Sequence, residues 1–181
     1  MQQRGMAFQL LAGNIKKISN VHKLKLIDIL ANAFSFGLVP GQVLDLNVKD
    51  KNYDLKTVEK IYKLKTAELI RASIICGAIV ALDKLNEEII QPLSNFGLNI
   101  GIAFQIIDDI LDLTSDTTTL GKTPGKDKEQ NKLTYPLLVG IESSKRMANE
   151  LITQANLELK NIPINLTLLS LLAKYTINRI N

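Results

Sequence analysis

Phe104-Gln-Ile-Ile-Asp-Asp-Ile-Leu-Asp112 is the stretch whose reading decides the fold. It closes an apolar segment, Ile89 to Leu113, that has helical spacing and no proline after Pro92. At about 100° per residue, Gly97, Gly101, Gln105, Asp108 and Asp112 fall on one narrow stripe. Ile100, Phe104, Ile107 and Leu111 cover a second face, and Ile106, Ile110 and Leu113 a third. A helix that is apolar nearly all round is a buried helix, so its carboxylates are expected to point into a cleft rather than into bulk water.

Placing acids there is costly. Two carboxylates one turn apart, about 6 Å, repel by about 3 kcal/mol at an effective dielectric of about 20. They also lie near the helix C-terminus, where the macrodipole disfavours negative charge. Something cationic must offset this, either a hard divalent metal with oxygen ligands or lysines from elsewhere in the chain. Lys122, Lys126, Lys128 and Lys132 follow close behind. A solvated acidic helix end followed by a basic loop is the competing reading. The glycines and the glutamine on the same stripe weigh against it.

The composition agrees with a helical protein. The chain has 181 residues, 46% hydrophobic and 22% charged, enough for one sizeable core. Aromatics make up only 5% and tryptophan is absent, a mix that suits helices better than sheets. The net charge of +4 favours anionic ligands, but the basic residues are scattered without interleaved aromatics, which argues against nucleic acid. The single cysteine, Cys76, lies in an apolar run and reads as a buried structural thiol. The first residues, Met1-Gln-Gln-Arg-Gly5, lack the apolar core of a signal peptide. The longest unbroken apolar run, Ile74 to Leu82, is far short of the roughly 18 residues that span a bilayer. A soluble, cytoplasmic protein is expected.

Working outward, residues 6–13 read as the end of an apolar helix that begins without a cap. A second helix is expected from Val21 to Leu38, broken or kinked at Pro40-Gly41. Gln42 and Asp45 would share a face if the helix resumes. His22 reads as a solvated surface residue, and Asp50 and Asp54 as loop and cap residues. A long helix is expected from Leu55 to Leu82, with Lys65-Thr66 where it changes from amphipathic to apolar. The helix of the opening stretch spans 86–113, and Thr114 to Lys132 is a polar loop. Helices over Leu133–Leu159 and Leu166–Ile180, around Pro163, complete an all-α chain in one piece.

Five segments together resemble a known family. Phe104 to Asp112, followed by Gly121-Lys-Thr-Pro-Gly-Lys-Asp127 and Lys132-Leu-Thr-Tyr-Pro136, is similar to the second aspartate-rich region of the trans-polyprenyl diphosphate synthases, the farnesyl and geranylgeranyl diphosphate synthases among them. Gly41-Gln-Val-Leu-Asp-Leu46 and Lys65-Thr66 stand where that family has its G-Q-x-x-D-L and K-T motifs. The resemblance implies a helical bundle of the isoprenoid-synthase type around a central cavity, with two aspartate-rich helices facing each other and holding Mg²⁺. The implied reaction condenses isopentenyl diphosphate with an allylic prenyl diphosphate. The residue chemistry suits it: Mg²⁺ takes a few carboxylates plus phosphate oxygens, and an apolar cavity keeps water from a carbocation.

Carried over residue by residue, the resemblance makes Asp108 the principal metal ligand, with Asp112 and Asp109 as metal or water-mediated partners. Lys65, Lys122 and Lys132 would contact the allylic diphosphate, Thr66 and Gln105 would line the same site, and Phe104 would lie near the isopentenyl side. Lys126 has no equally firm role. A terpene cyclase of related fold is disfavoured by the G-Q-x-x-D-L and G-K-x-x-G-K-D motifs.

No second D-D-x-x-D occurs in the chain. Residues 1–181 therefore correspond to the C-terminal part of the family's length, with the first aspartate-rich motif and the N-terminal helices expected upstream of residue 1. The alternative function is a catalytically impaired remnant, or a non-catalytic subunit that binds a diphosphate or a partner synthase. Helices that lose their covering partners would expose apolar surface, so a homodimer or a partner subunit is expected.

Overall fold

A computed structural model of the chain describes residues 2–13, 18–47, 54–82, 86–115 and 134–179, and every regular element among them is helical. In chain order these are α1 (Gln2–Ala12), α2 (Asn20–Asn32), α3 (Val39–Asn47), α4 (Leu55–Tyr62), α5 (Glu68–Ala81), α6 (Glu87–Ser115), α7 (Tyr135–Val139), α8 (Ile141–Leu159) and α9 (Thr167–Asn178). The all-α expectation holds. The 29-residue α6 is the axis of the fold, packed most extensively against α8 and α5. Phe96, Ile100, Ala103, Ile106, Ile107 and Ile110 on it are at most 3% exposed, so the apolar faces read from the sequence do form the core.

The glycines of the stripe explain how closely α5 can lie. A Cβ added at Gly97 would stand 2.7 Å from the Cα of Arg71, and one at Gly101 would overlap the Cα of Ala67. Small residues here let two helix backbones meet, and that contact fixes where the turns around Lys65-Thr66 lie along α6.

Two boundaries differ from expectation, both through π turns. The expected break at Pro40 is absent. Helix continues from α2 to α3 through a π turn, Ala33–Leu38, and the N–H of Val39 reaches back five residues to the carbonyl of Phe34. This register change, one residue before Pro40, shifts the carbonyls that the proline ring would otherwise meet. The expected single helix 55–82 likewise contains a π turn, Lys63–Ala67, between α4 and α5. The two π turns pack on each other. Gly41 makes that approach possible, since a Cβ there would come within 2.5 Å of the backbone nitrogen of Lys65. A third difference is Gly140, whose φ of +84° separates α7 from α8 inside the expected helix 133–159.

Taken as one helix, Asn20–Asn47 is long enough, and over part of its length apolar enough, to cross a bilayer by length and composition alone. Counting only unbroken apolar runs overlooks it, because Asn32, Ser35 and Gln42 interrupt the run. Here Leu26, Ala33, Gly37, Leu38 and Gly41 are buried, while Val21, Leu24, Phe36, Val39, Val43 and Leu46 are exposed. The run therefore packs through one face and leaves an apolar face outward. Cys76 is half-buried, and desolvation raises its thiol above the ordinary 9.0, as befits a structural thiol.

Candidate functional site

The last three turns of α6 meet the π turn at Lys65-Thr66, and one continuous hydrogen-bond chain joins them. The Thr66 hydroxyl donates to Gln105 Oε1 at 2.9 Å, and Gln105 Nε2 donates to Asp109 Oδ1 at 3.1 Å. The Tyr62 hydroxyl, from the end of α4, donates to Asp109 Oδ2. The same hydroxyl accepts the backbone N–H of Tyr135 at 3.0 Å, at the start of α7. Each donor in this relay has one defined acceptor, which fixes the amide orientation of Gln105 and leaves both Asp109 oxygens bonded. Asp109 is only 8% exposed. Buried carboxylates are held in place by such donors. The rings of Tyr62 and Tyr135 also lean together, 6.5 Å between centroids. Burial, then Glu59 and Glu150, raise the Tyr135 hydroxyl above its ordinary 10.0.

Lys65 faces the other way across its turn. Its Nζ donates to Asp45 Oδ2 at 2.6 Å, and the side chains are 31% and 6% exposed. Asp45 thus anchors the lysine from α3, and the head group does not simply run out to solvent. This ties the segment 41–46 to Lys65 directly. The π turn sets the geometry: adding one residue to the helical ladder turns Lys65 toward α3 while Thr66 still reaches α6.

Asp108 stands on another face of α6 from its neighbour. Its side chain is 41% exposed and accepts from Arg179 Nη2 at 3.1 Å. Arg179 caps the end of α9, and its guanidinium carbon lies 4.9 Å from the centroid of the Phe104 ring. Asp112, one turn on from Asp108, is exposed. Among the expected residues, Lys65, Thr66, Phe104, Gln105, Asp108 and Asp112 are thus gathered around the meeting of α6 with the π turn and α9. Asp109 belongs to the inner network, buried and with each oxygen accepting a hydrogen bond from Tyr62 or Gln105. Lys122, Lys126 and Lys132 lie outside the described residues.

The donor set at Asp108 and Asp112 is oxygen only, partly open to water, with no histidine or thiolate beside it. That suits a small hard cation such as Mg²⁺, which keeps several waters and takes one or two carboxylates plus phosphate oxygens. Among the described residues no group of three or more His, Cys, Asp or Glu gathers to hold an ion by itself. Any ion here would need ligands from beyond these two carboxylates.

Sequence reasoning missed Tyr62, Arg179 and the pairing of Asp45 with Lys65. Tyr62 lies four residues before Thr66, a spacing that could have drawn attention to it. For Arg179 no local pattern points to a partner 71 residues away.

A sequence profile described as polyprenyl synthetase matches residues 4–163. The chain is 37% identical over 179 residues to the farnesyl diphosphate synthase of Escherichia coli K12, covering 96% of this chain and 60% of that protein. It is 39% identical over 175 residues to a dimethylallyltranstransferase of Fischerella ambigua, covering 96% and 50%. Among solved structures, a geranylgeranyl pyrophosphate synthetase from Pyrococcus horikoshii superposes with TM-score 0.82 at 29% identity, covering 96% of this chain and 63% of that one. A Helicobacter pylori geranyltransferase complexed with magnesium and isoprenyl diphosphate gives TM-score 0.78 at 29% identity, covering 97% and 57%. The chain spans about half to three-fifths of the length of the curated relatives it matches. With the helical fold, the joined motifs and these matches in agreement, the chain belongs to the polyprenyl synthetase family.

Proposed function

We propose that this chain provides the second aspartate-rich half of a short-chain prenyl diphosphate synthase, which joins an allylic prenyl diphosphate to isopentenyl diphosphate. The observation that carries the reading is the packing of the Lys65-Thr66 π turn on α6, joined by the Thr66–Gln105 hydrogen bond one turn before the aspartates and next to an apolar core. In the reaction the allylic C–O bond breaks and diphosphate departs. The double bond of isopentenyl diphosphate then forms the new C–C bond, and a proton is lost.

Asp108 and Asp112 are the residues that would hold Mg²⁺. When bound, Mg²⁺ neutralises charge that develops on the departing diphosphate. Lys65, anchored by Asp45, adds a charge-assisted donor to the same anion. Thr66 and Gln105 hold the π turn against α6, so that lysine and carboxylates keep their relative positions. The apolar residues of α6 and α5 exclude water, which would quench an allylic cation.

A second reading is a subunit that binds diphosphate without turnover. It is favoured by the lack of a closed carboxylate cluster among the described residues and by the outward apolar face of α2 and α3. Incubating the purified chain with labelled isopentenyl diphosphate, an allylic primer and Mg²⁺ separates the two. A labelled prenyl product supports the first, and diphosphate binding without product supports the second.

A further inference from the structure

The end of α9 brings a cation to the acidic turn of α6 from the far end of the chain. Arg179 uses Nη2 on Asp108 Oδ1, 3.1 Å away, and lays its guanidinium 4.9 Å from the Phe104 ring centroid. Its Nη1 is buried yet has no acceptor among the described residues. A guanidinium with one donor group engaged and another buried without an acceptor is only half used, because its rigid fork suits two oxygens at once. The ion pair itself lies at the rim, with side chains 29% and 41% exposed, where such pairs are weak and exchangeable.

We propose that Arg179 is a tethered counter-cation, which neutralises Asp108 in the metal-free chain and leaves it when a divalent cation binds. The proposal rests on the reading of Asp108 as a metal-facing carboxylate. Guanidinium and divalent cation would then compete for the Asp108 carboxylate. The Phe104 ring gives the guanidinium a surface to remain on once displaced, where Nη1 and Nη2 can both donate to an anion arriving with the metal. The site thereby avoids an unpaired carboxylate before substrate arrives, and a donor is held ready beside the diphosphate.

The test is calorimetric titration of Mg²⁺ into the full chain, with and without inorganic diphosphate, for the wild type, Arg179→Met, Arg179→Gln and Asp108→Asn. Without diphosphate, both Arg179 variants should bind Mg²⁺ about three- to tenfold more tightly than wild type, because their competitor is gone. With diphosphate the gain should vanish or reverse, since the wild type recovers the displaced guanidinium as a donor. Circular dichroism confirms folding, and if the Met variant unfolds the Gln variant decides. Mg²⁺ affinity unchanged or lowered in the folded Arg179 variant, with binding lost in Asp108→Asn, overturns the counter-cation and leaves the metal reading intact. Equal Mg²⁺ binding by Asp108→Asn and wild type overturns the metal reading and the proposal with it.

Discussion

Asp108 and Asp109 are adjacent in sequence and have opposite surroundings. Asp109 is 8% exposed, with both oxygens taken by Tyr62 and Gln105. Asp108 is half open to solvent, and its carboxylate pairs with the rim guanidinium of Arg179. A step of about 100° around a helix is enough to separate a carboxylate that holds elements together from one that can meet a ligand. A pair of aspartates in a motif is therefore not a pair of equivalent ligands. What surrounds each of them, one turn of helix away, decides its chemistry.

The inner side of that comparison should break first under mutation. Gly101→Val places methyl groups where the backbone of Ala67 already lies, so α5 and α6 must part. A loss of about 3 kcal/mol or more is expected, read as a lowered midpoint in thermal unfolding followed by circular dichroism. Tyr62→Phe removes the donor to Asp109 and the acceptor of the Tyr135 N–H together. It should cost about 2 kcal/mol by the same measurement, because two buried polar groups lose a partner. Asp108→Asn, on the rim, should change stability by about 0.5 kcal/mol at most. Similar losses for Tyr62→Phe and Asp108→Asn would erase the distinction between the two faces.

The outer side is sharpened by ligand binding. Lys65→Ala should weaken diphosphate binding by about 1.5 kcal/mol, roughly tenfold, through loss of a charge-assisted donor. Lys160→Ala, at the exposed end of α8, should leave it unchanged. If the two lysine variants behave alike, Lys65 is only part of the general positive charge.

Much of this could be read from residues 104–112, and the reason is physical. The buried faces of α6 repeat with helical period, so Ile100, Phe104, Ile106, Ile107 and Ile110 announce a core helix without reference to anything else. The motifs 41–46 and 65–66 were legible as segments of the site, though not how they join. Their union depends on two π turns, and a π turn is one extra residue in a helical ladder, which leaves no mark on apolar periodicity. Gly140 was passed over because a lone glycine in a helical pattern is often tolerated. Arg179 was unreadable for a different reason: its partner is set by where α9 docks on α6. The two faces of the aspartate pair follow from that same docking and from Tyr62.

The smallest effect lies far from the site and serves as a control on both faces. Asp54 caps α4 by accepting from the backbone N–H and the hydroxyl of Thr57, and the hydroxyl bond first, then the backbone bond, lower its carboxyl below the ordinary 3.8. A lowered carboxyl favours the folded state above its unfolded value, and that contribution is lost as pH falls through the folded value. Thermal unfolding of the wild type and Asp54→Ala should therefore differ slightly at neutral pH and converge at strongly acidic pH. A difference that persists in acid would mean that the cap acts by something other than its charge.

The separation of the two aspartates is tested most directly by calorimetry with Mg²⁺ and a bisphosphonate on Asp108→Asn and Asp109→Asn, each checked for folding. Asp108→Asn should remain nearly as stable as wild type and lose the metal-dependent binding, because it removes a ligand and weakens only a rim ion pair. Asp109→Asn should be clearly less stable, yet bind the pair normally at a temperature where it is folded. Intact binding in Asp108→Asn, or loss of binding in a fully folded Asp109→Asn, would contradict the assignment of one aspartate to the ligand and the other to the fold.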